Sequence, residues 1–249
     1  MSTRDIVQDI VKHTAGLGFI TSVKVTGTNE ETTLDSMDAD RTVILQAKLH
    51  NTVEEFNGEF GLGNLGFLAG VSALGNYQAD DAKVEVVTRE RNGVTVPDHL
   101  MFRDVDGNTD QYRFMSKEII EQTLQTVKFK GVEWDVTFEP TKAKVNELQQ
   151  VAGIYGGIEP NFTVKTVDGN LVITVGAQDG SFTGKRTFAM NVNGEITEGY
   201  AWPLNQVLAI LKLGMSGTCV MQISKKGALL ISVDSGIGKY DYILPALTV

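Results

Sequence analysis

Apolar residues recur along the chain with two periods, and the order in which the periods alternate is the first clue to architecture. From Thr3 to Leu17, Ile6, Ile10 and Leu17, with Val7, Val11 and Thr14, form one stripe at helical spacing, which leaves Arg4, Gln8 and Lys12 on the opposite face. Strand signals follow at Ile20 to Thr26, Thr42 to Leu49 and Glu54 to Phe60. A short helix is expected over Leu65 to Leu74, with Gly66, Gly70 and Ala73 as a small-residue face. A meander of antiparallel strands comes next, at Lys83 to Glu90, Asp98 to Arg103 and Gln111 to Phe114, punctuated by turns at Arg91-Asn92-Gly93 and Asp106-Gly107.

Met115 to Glu133 is less regular, and beyond it the pattern restarts. A strand at Trp134 to Phe138 precedes a helix at Thr141 to Tyr155, whose buried side carries Val145, Leu148, Val151, Ala152 and Tyr155. A hairpin about Asp168-Gly169, strands at Lys185 to Val192 and Gly199 to Pro203, and a helix at Gln206 to Leu213 come next. Strands at Thr218 to Ser224, Leu229 to Val233 and Tyr240 to Leu244 close the chain. Expected helix starts near 3 and 64 in one half, and near 141 and 205 in the other, give spacings of roughly 61 and 64 residues, as two copies of one unit would. The expected class is α+β, because mostly antiparallel strands with few helices exclude a parallel α/β sheet. The expected organisation is residues 1–114 as one domain, 115–133 as a connector and 134–249 as a second domain.

The stretch Thr33 to Leu49, TLDSMDADRTVILQAKL, reads as an acidic turn around Met37 that runs into a strand. A methionine flanked by Asp35, Asp38 and Asp40 is either tucked into its own core or covered by a partner peptide. The end of the chain, Gly238 to Val249, is apolar throughout, whereas chain ends are usually polar. Such a tail either packs on its own domain or forms part of a receptor surface.

With 22 Lys and Arg against 31 Asp and Glu, the net charge of −9 argues against a protein that grips nucleic acid with its whole surface, though not against a local basic lining. The basic residues on the helices, Arg4, Lys12, Lys142, Lys144 and Lys212, lie away from the apolar stripes. Set side by side, those faces would form a modest basic surface. The single cysteine, Cys219, sits in an apolar run and reads as a small core residue. No signal peptide or membrane-spanning run is evident, so a cytoplasmic location is expected.

Several motifs invite a chemical reading that their context does not support. Gly61-Leu62-Gly63-Asn64-Leu65-Gly66 spells a dinucleotide fingerprint but is followed by a β meander, not a βαβ unit. Asp104 to Asp110 begins like a calcium loop, with the glycine too early and Met115 where the bidentate glutamate belongs. His13, His50 and His99 lack metal-ligand spacing. No catalytic constellation, metal site or cofactor site is expected, and the protein is not expected to be an enzyme.

Leu34-Asp35-Ser36-Met37-Asp38, running into Val43 to Leu49, is similar to the signature loop and strand of proliferating cell nuclear antigen (PCNA), the eukaryotic sliding clamp. Leu229 to Val233, Gly238 and Tyr242-Ile243-Leu244-Pro245 resemble that family's last strands and tail. Glu147-Leu148-Gln149-Gln150, Phe162 to Lys165 and Gly169 to Ile173 resemble tailed-phage clamps. The resemblance implies two clamp domains with antiparallel sheets outside and helices lining an inner face, and three chains closing head to tail around duplex DNA. It implies a processivity factor for a DNA polymerase, opened by an ATP-dependent loader. DNA would be met by Arg4, Lys12, Lys142, Lys144 and Lys212. Partner peptides would dock in a pocket lined by Met37, Arg41, Thr42, Ile44, Tyr242, Leu244, Pro245 and Ala246, with a connector at Lys117 to Lys130 as its rim. The second helix carries no basic residue, so a weak, sequence-blind grip is expected. The alternative is a β-rich virion or tail structural protein with a duplicated domain, which leaves the helical lysines and the apolar tail unexplained.

Overall fold

A computed structural model describes residues 2–91, 93–124, 129–177 and 181–247. The chain divides into two compact units. The first comprises Met1–Arg41, Leu45–Val127 and Gly236–Tyr240, and the second Thr42–Ile44, Lys128–Ser235 and Asp241–Val249.

In the first half of the chain α1 (Thr3–His13) precedes four strands, β1 (Val23–Gly27), β2 (Thr32–Met37), β3 (Ile44–Leu49) and β4 (Gly58–Leu62). Then come α2 (Leu65–Ser72), the single turn α3 (Gly75–Gln78), and β5 (Lys83–Arg91), β6 (Val94–Arg103) and β7 (Thr109–Arg113). The short β8 (Met115–Ser116) and α4 (Lys117–Thr123) follow. After β9 (Val136–Phe138), α5 (Lys142–Tyr155) leads into β10 (Asn161–Val167), β11 (Asn170–Gly176), β12 (Thr183–Ala189) and β13 (Tyr200–Pro203). The chain ends with α6 (Leu204–Gly214), β14 (Thr218–Ser224), β15 (Ala228–Asp234) and β16 (Gly238–Pro245). Apart from the short α3 and the intervening β8, α4 and β9, each half thus reads helix, four strands, helix, three strands.

In the first unit one sheet runs β8-β4-β1-β2-β3 and continues into the start of β16, and a second runs β5-β6-β7. In the second unit the sheets are β12-β11-β10-β13 and β16-β15-β14-β9. Within their units, α1 packs on α2 and β5, while α6 packs on α5 and on β13, β14 and β15. Helices over antiparallel sheets are the α+β solution that the apolar periods predict.

The first helix forms where its stripe places it. Ile6, Val7 and Ile10 are buried, and Ser2 and Asp5 form a reciprocal cap, with Ser2 N–H donating to the Asp5 carboxylate at 2.8 Å and Asp5 N–H donating to Ser2 Oγ at 3.2 Å. The Ser2 backbone N–H, and then the Ser2 hydroxyl, hold the Asp5 carboxyl below the usual carboxylate range. The α-helix stops at His13, earlier than its stripe predicts. Ala15–Leu17 winds as a 3-10 turn that ends on Gly18 at φ 83°, so Leu17 still reaches the core.

Three local expectations are corrected. Thr33 to Met37 is not a turn but most of strand β2, paired with β1 through Thr26↔Thr33, Val25↔Leu34 and Lys24↔Asp35. Polar side chains face inward on this strand, which hides its alternation: Ser36 Oγ donates to Ser22 O at 2.6 Å, and Thr32 Oγ1 accepts Val53 N–H at 3.0 Å. The strand expected at Glu54 to Phe60 begins as a 3-10 turn and becomes β4 only at Gly58. The stretch Met115 to Glu133 holds β8 and α4, while 125–128 lie outside the described residues.

Candidate DNA-facing helices and partner surface

The five helical cations differ in exposure. Lys12 and Lys142 are exposed on α1 and α5, and Lys212 is exposed in the last turn of α6. Arg4 is half-buried, and its guanidinium donates to Ala79 O just beyond α3. Lys144, also half-buried, sits 2.8 Å from Glu147, which in turn lies 3.6 Å from Arg186. Lys142 borders a hollow shared with Gly214 and Met215 at the end of α6, so within the second unit one helix start meets the other's end. Helix α2 carries no charge at all. A side chain at Gly66 or Gly70 would point into open space, and Phe67 is 47% exposed.

Met37 is the last residue of β2 and is half-buried. The turn that follows closes through Arg41 N–H to Asp38 O at 3.1 Å, with exposed Arg41 in the left-handed region at φ 58°. Both residues belong to the first unit. In the second unit, Thr42 Oγ1 accepts Gln206 Nε2–H at 3.3 Å, and Ile44 is half-buried. Tyr242 and Leu244 are fully buried in that unit's core, so their side chains present no open surface there. Leu244 O accepts the Trp202 indole N–H at 3.0 Å. Pro245 is exposed and Ala246 half-buried, and the tail is tied down by Ala246 N–H to Gly227 O at 2.7 Å and Leu247 N–H to Ala201 O at 2.9 Å.

The connector expected at Lys117 to Lys130 starts as α4, and the residues that fix it escaped the sequence reading. Ile120 is fully buried against Gly61 of β4. Glu59 lies 2.8 Å from Lys117 and 2.9 Å from Lys24, and Lys24 also approaches Glu121 at 3.4 Å. Lys117, then Lys24, hold the Glu59 carboxyl below its ordinary range, and Glu59 raises the Lys24 ammonium. Gly61 had looked like part of a nucleotide fingerprint. Its lack of a side chain instead makes room for Ile120.

Among the described residues, no group of three or more His, Cys, Asp or Glu could hold a metal, and no helix is long and apolar enough to cross a membrane. Asp104 to Asn108 closes the β6–β7 turn, with Asp104 Oδ1 accepting Asn108 N–H at 2.8 Å.

No family model and no curated protein matches the sequence. Solved structures do match it along its whole length. Archaeoglobus fulgidus PCNA, in a structure with the C-terminal region of FEN-1 bound, superposes with a TM-score of 0.71 at 9% identity, covering 100% of this chain and 97% of that one. PCNA from Thermococcus kodakaraensis gives 0.69 at 11% identity over 99% and 98%. A PCNA2–PCNA3 complex from Sulfolobus tokodaii gives 0.67 at 13% identity over 99% and 97%. The chain has the sliding-clamp fold. Within that fold class its likeness is to the PCNA clamps, which bears out at the level of fold the resemblance read from the sequence.

Proposed function

We propose that the protein is a sliding clamp: a ring of three copies that encircles duplex DNA and tethers a replicative DNA polymerase, without chemistry of its own. The observation that carries this reading is the likeness to PCNA clamps over 99–100% of the chain, which takes in both copies of the order helix, four strands, helix, three strands. The mechanism is topological. A closed ring does not dissociate sideways, so a weakly held polymerase stays at high local concentration on its template.

Ring closure would be head to tail, pairing β7, which ends the sheet β5-β6-β7, with β12, which ends the sheet β12-β11-β10-β13, of the next copy. Exposed apolar residues support both sides of that contact: Phe67 and Leu74 in the first unit, Ile154, Ile158 and Phe182 in the second. Exposed Lys12, Lys142 and Lys212 would meet DNA phosphates, with half-buried Arg4 and Lys144 contributing less. Few phosphate contacts suit a ring that must slide. The domain limits 1–114, 115–133 and 134–249 belong to this reading.

The Met37 turn, Arg41, Thr42, Ile44 and the tail around Pro245 and Ala246 would form the dock for short peptides of polymerase and other replication proteins. Tyr242 and Leu244 would support it from beneath. The FEN-1 segment bound to the archaeal relative supports this use of the fold. Opening would require an ATP-dependent loader, and the runs Glu147 to Gln150 and Phe162 to Ile173 support a tailed-phage source. Primer extension on circular DNA with a matched polymerase and loader tests the reading. Long products only with this protein are expected, together with a trimeric mass at micromolar concentration. A monomer at every concentration, or extension unaffected by the protein, would overturn it.

A further inference from the structure

The sheet β12-β11-β10-β13 turns Phe162, Val164, Leu171 and Ile173 into the core of its unit, and its opposite face holds a hollow of about 660 Å³. The strand register lays that face out in rows. One row runs from Thr163 through Thr174 to Lys185, and the next from Gly199 through Lys165 and Val172 to Thr187. Lys165 and Lys185 are therefore two strands and two residues apart, a Cα separation of about 12 Å from ordinary strand spacing and rise.

Three features distinguish this face. Among the described residues no carboxylate lines the hollow; of the two next to it in sequence, Glu198 accepts the Tyr200 hydroxyl at 2.9 Å and Asp168 lies in the exposed β10–β11 turn. Among the described residues, Lys165 and Lys185 are exposed and form no ion pair, as is also true of Lys83, Lys142, Lys212 and Lys226, but only these two line one hollow together. On a chain of net charge −9 the face is thus a positive island. Apart from the two lysines, the described residues that line the hollow are threonines, Val167, Val172 and Gly199, with no aromatic ring among them.

We infer that this face docks an acidic, extended segment of a partner protein, one whose carboxylates lie about four residues apart, roughly 13 Å along a strand, with a small apolar residue between them. Two separated cations over a threonine and valine floor suit such a segment. Single-stranded nucleic acid is the poorer fit, since its bases would find no aromatic platform on which to stack. The inference does not depend on ring formation or on DNA.

Fluorescence anisotropy at low salt tests it, using the full chain and a labelled octapeptide with an Asp-Thr-Val-Thr-Asp core, which places the valine on the same face as the two aspartates. The expected result is saturable binding, weakened about tenfold or more by the double change Lys165→Glu and Lys185→Glu, and weakened similarly when asparagines replace the peptide's aspartates. Both lysines are exposed, so the melting temperature should not move. If the reversal disturbs folding, Lys165→Gln with Lys185→Gln replaces it and should weaken binding in the same direction. Equal affinity for the charge variant, equal affinity for the asparagine peptide, or tighter binding of oligothymidylate than of the acidic peptide would each overturn the inference.

Discussion

Ile120 occupies the space that a side chain on Gly61 would need: a Cβ built there would come within 2.7 Å of the Ile120 side chain, itself fully buried. The start of the connector is therefore seated on β4 by one residue that has no side chain and one that fills the gap. Gly61→Ala should cost about 1–3 kcal/mol, the range for overfilling a packed site, and release α4. Urea denaturation should register the loss, and hydrogen exchange should show it concentrated in Lys117–Thr123. Equal protection there in both proteins would contradict this seating.

The ions around that seat predict a pH dependence. Lys117 and Lys24 lower the folded-state pKa of Glu59, so its contribution is present above the unfolded pKa and is lost as pH falls through the folded one. The Lys24 pKa is raised, so its share is present below the unfolded value and lost as pH rises through the folded one. Both groups are partly solvated, and Glu59→Gln should therefore cost less than about 1 kcal/mol at neutral pH. The gap between wild type and variant should close in acid, measured as melting temperature against pH.

Cys219 is 7% exposed, and burial, with Glu139 adding to it, pushes its thiol up to about 11. At neutral pH the reactive thiolate is scarce as well as covered. Maleimide labelling of the folded protein should be slow and should become fast in denaturant. Rapid labelling without denaturant would remove Cys219 from the core.

The Tyr240 hydroxyl donates to Asp9 at 2.8 Å, and its ring stacks on His13 with centroids 4.2 Å apart. Tyr240→Phe keeps the stacking and leaves Asp9 without that donor, so a loss of about 1–2 kcal/mol is expected by denaturant titration.

In the proposed clamp, Met37→Glu should abolish binding of a labelled partner peptide and leave the oligomer's mass unchanged. A methionine at a strand end offers an adaptable apolar contact, which a carboxylate beside Asp38 and Asp40 cannot replace. Unaltered peptide affinity would return Met37 to a purely structural place.

The repeat was legible because buried positions on α1 and α5 keep strict helical spacing, as Ile6, Ile10, Val145 and Leu148 show. Strand β2 was not, because Thr32 and Ser36 face inward and satisfy themselves by hydrogen bonds that hydropathy does not register. Helix α4 escaped for a related reason. A single buried residue, Ile120, fixes it, and the residues that hold it, Lys24, Glu59 and Gly61, lie far away in sequence. The tail defeated alternation as well: Tyr242, Ile243 and Leu244 are consecutive and all buried, so period alone could not tell which of them faces outward.

Uncharged α2, with open space beside Gly66 and Gly70, is a blank position on which grip can be set at will. A lysine at Gly70 would meet no neighbour, would gain roughly half to one kcal/mol of helix propensity over glycine, and would add one cation per copy. In the proposed ring, friction on DNA would then be adjustable, raised one charge at a time without disturbing a packed residue.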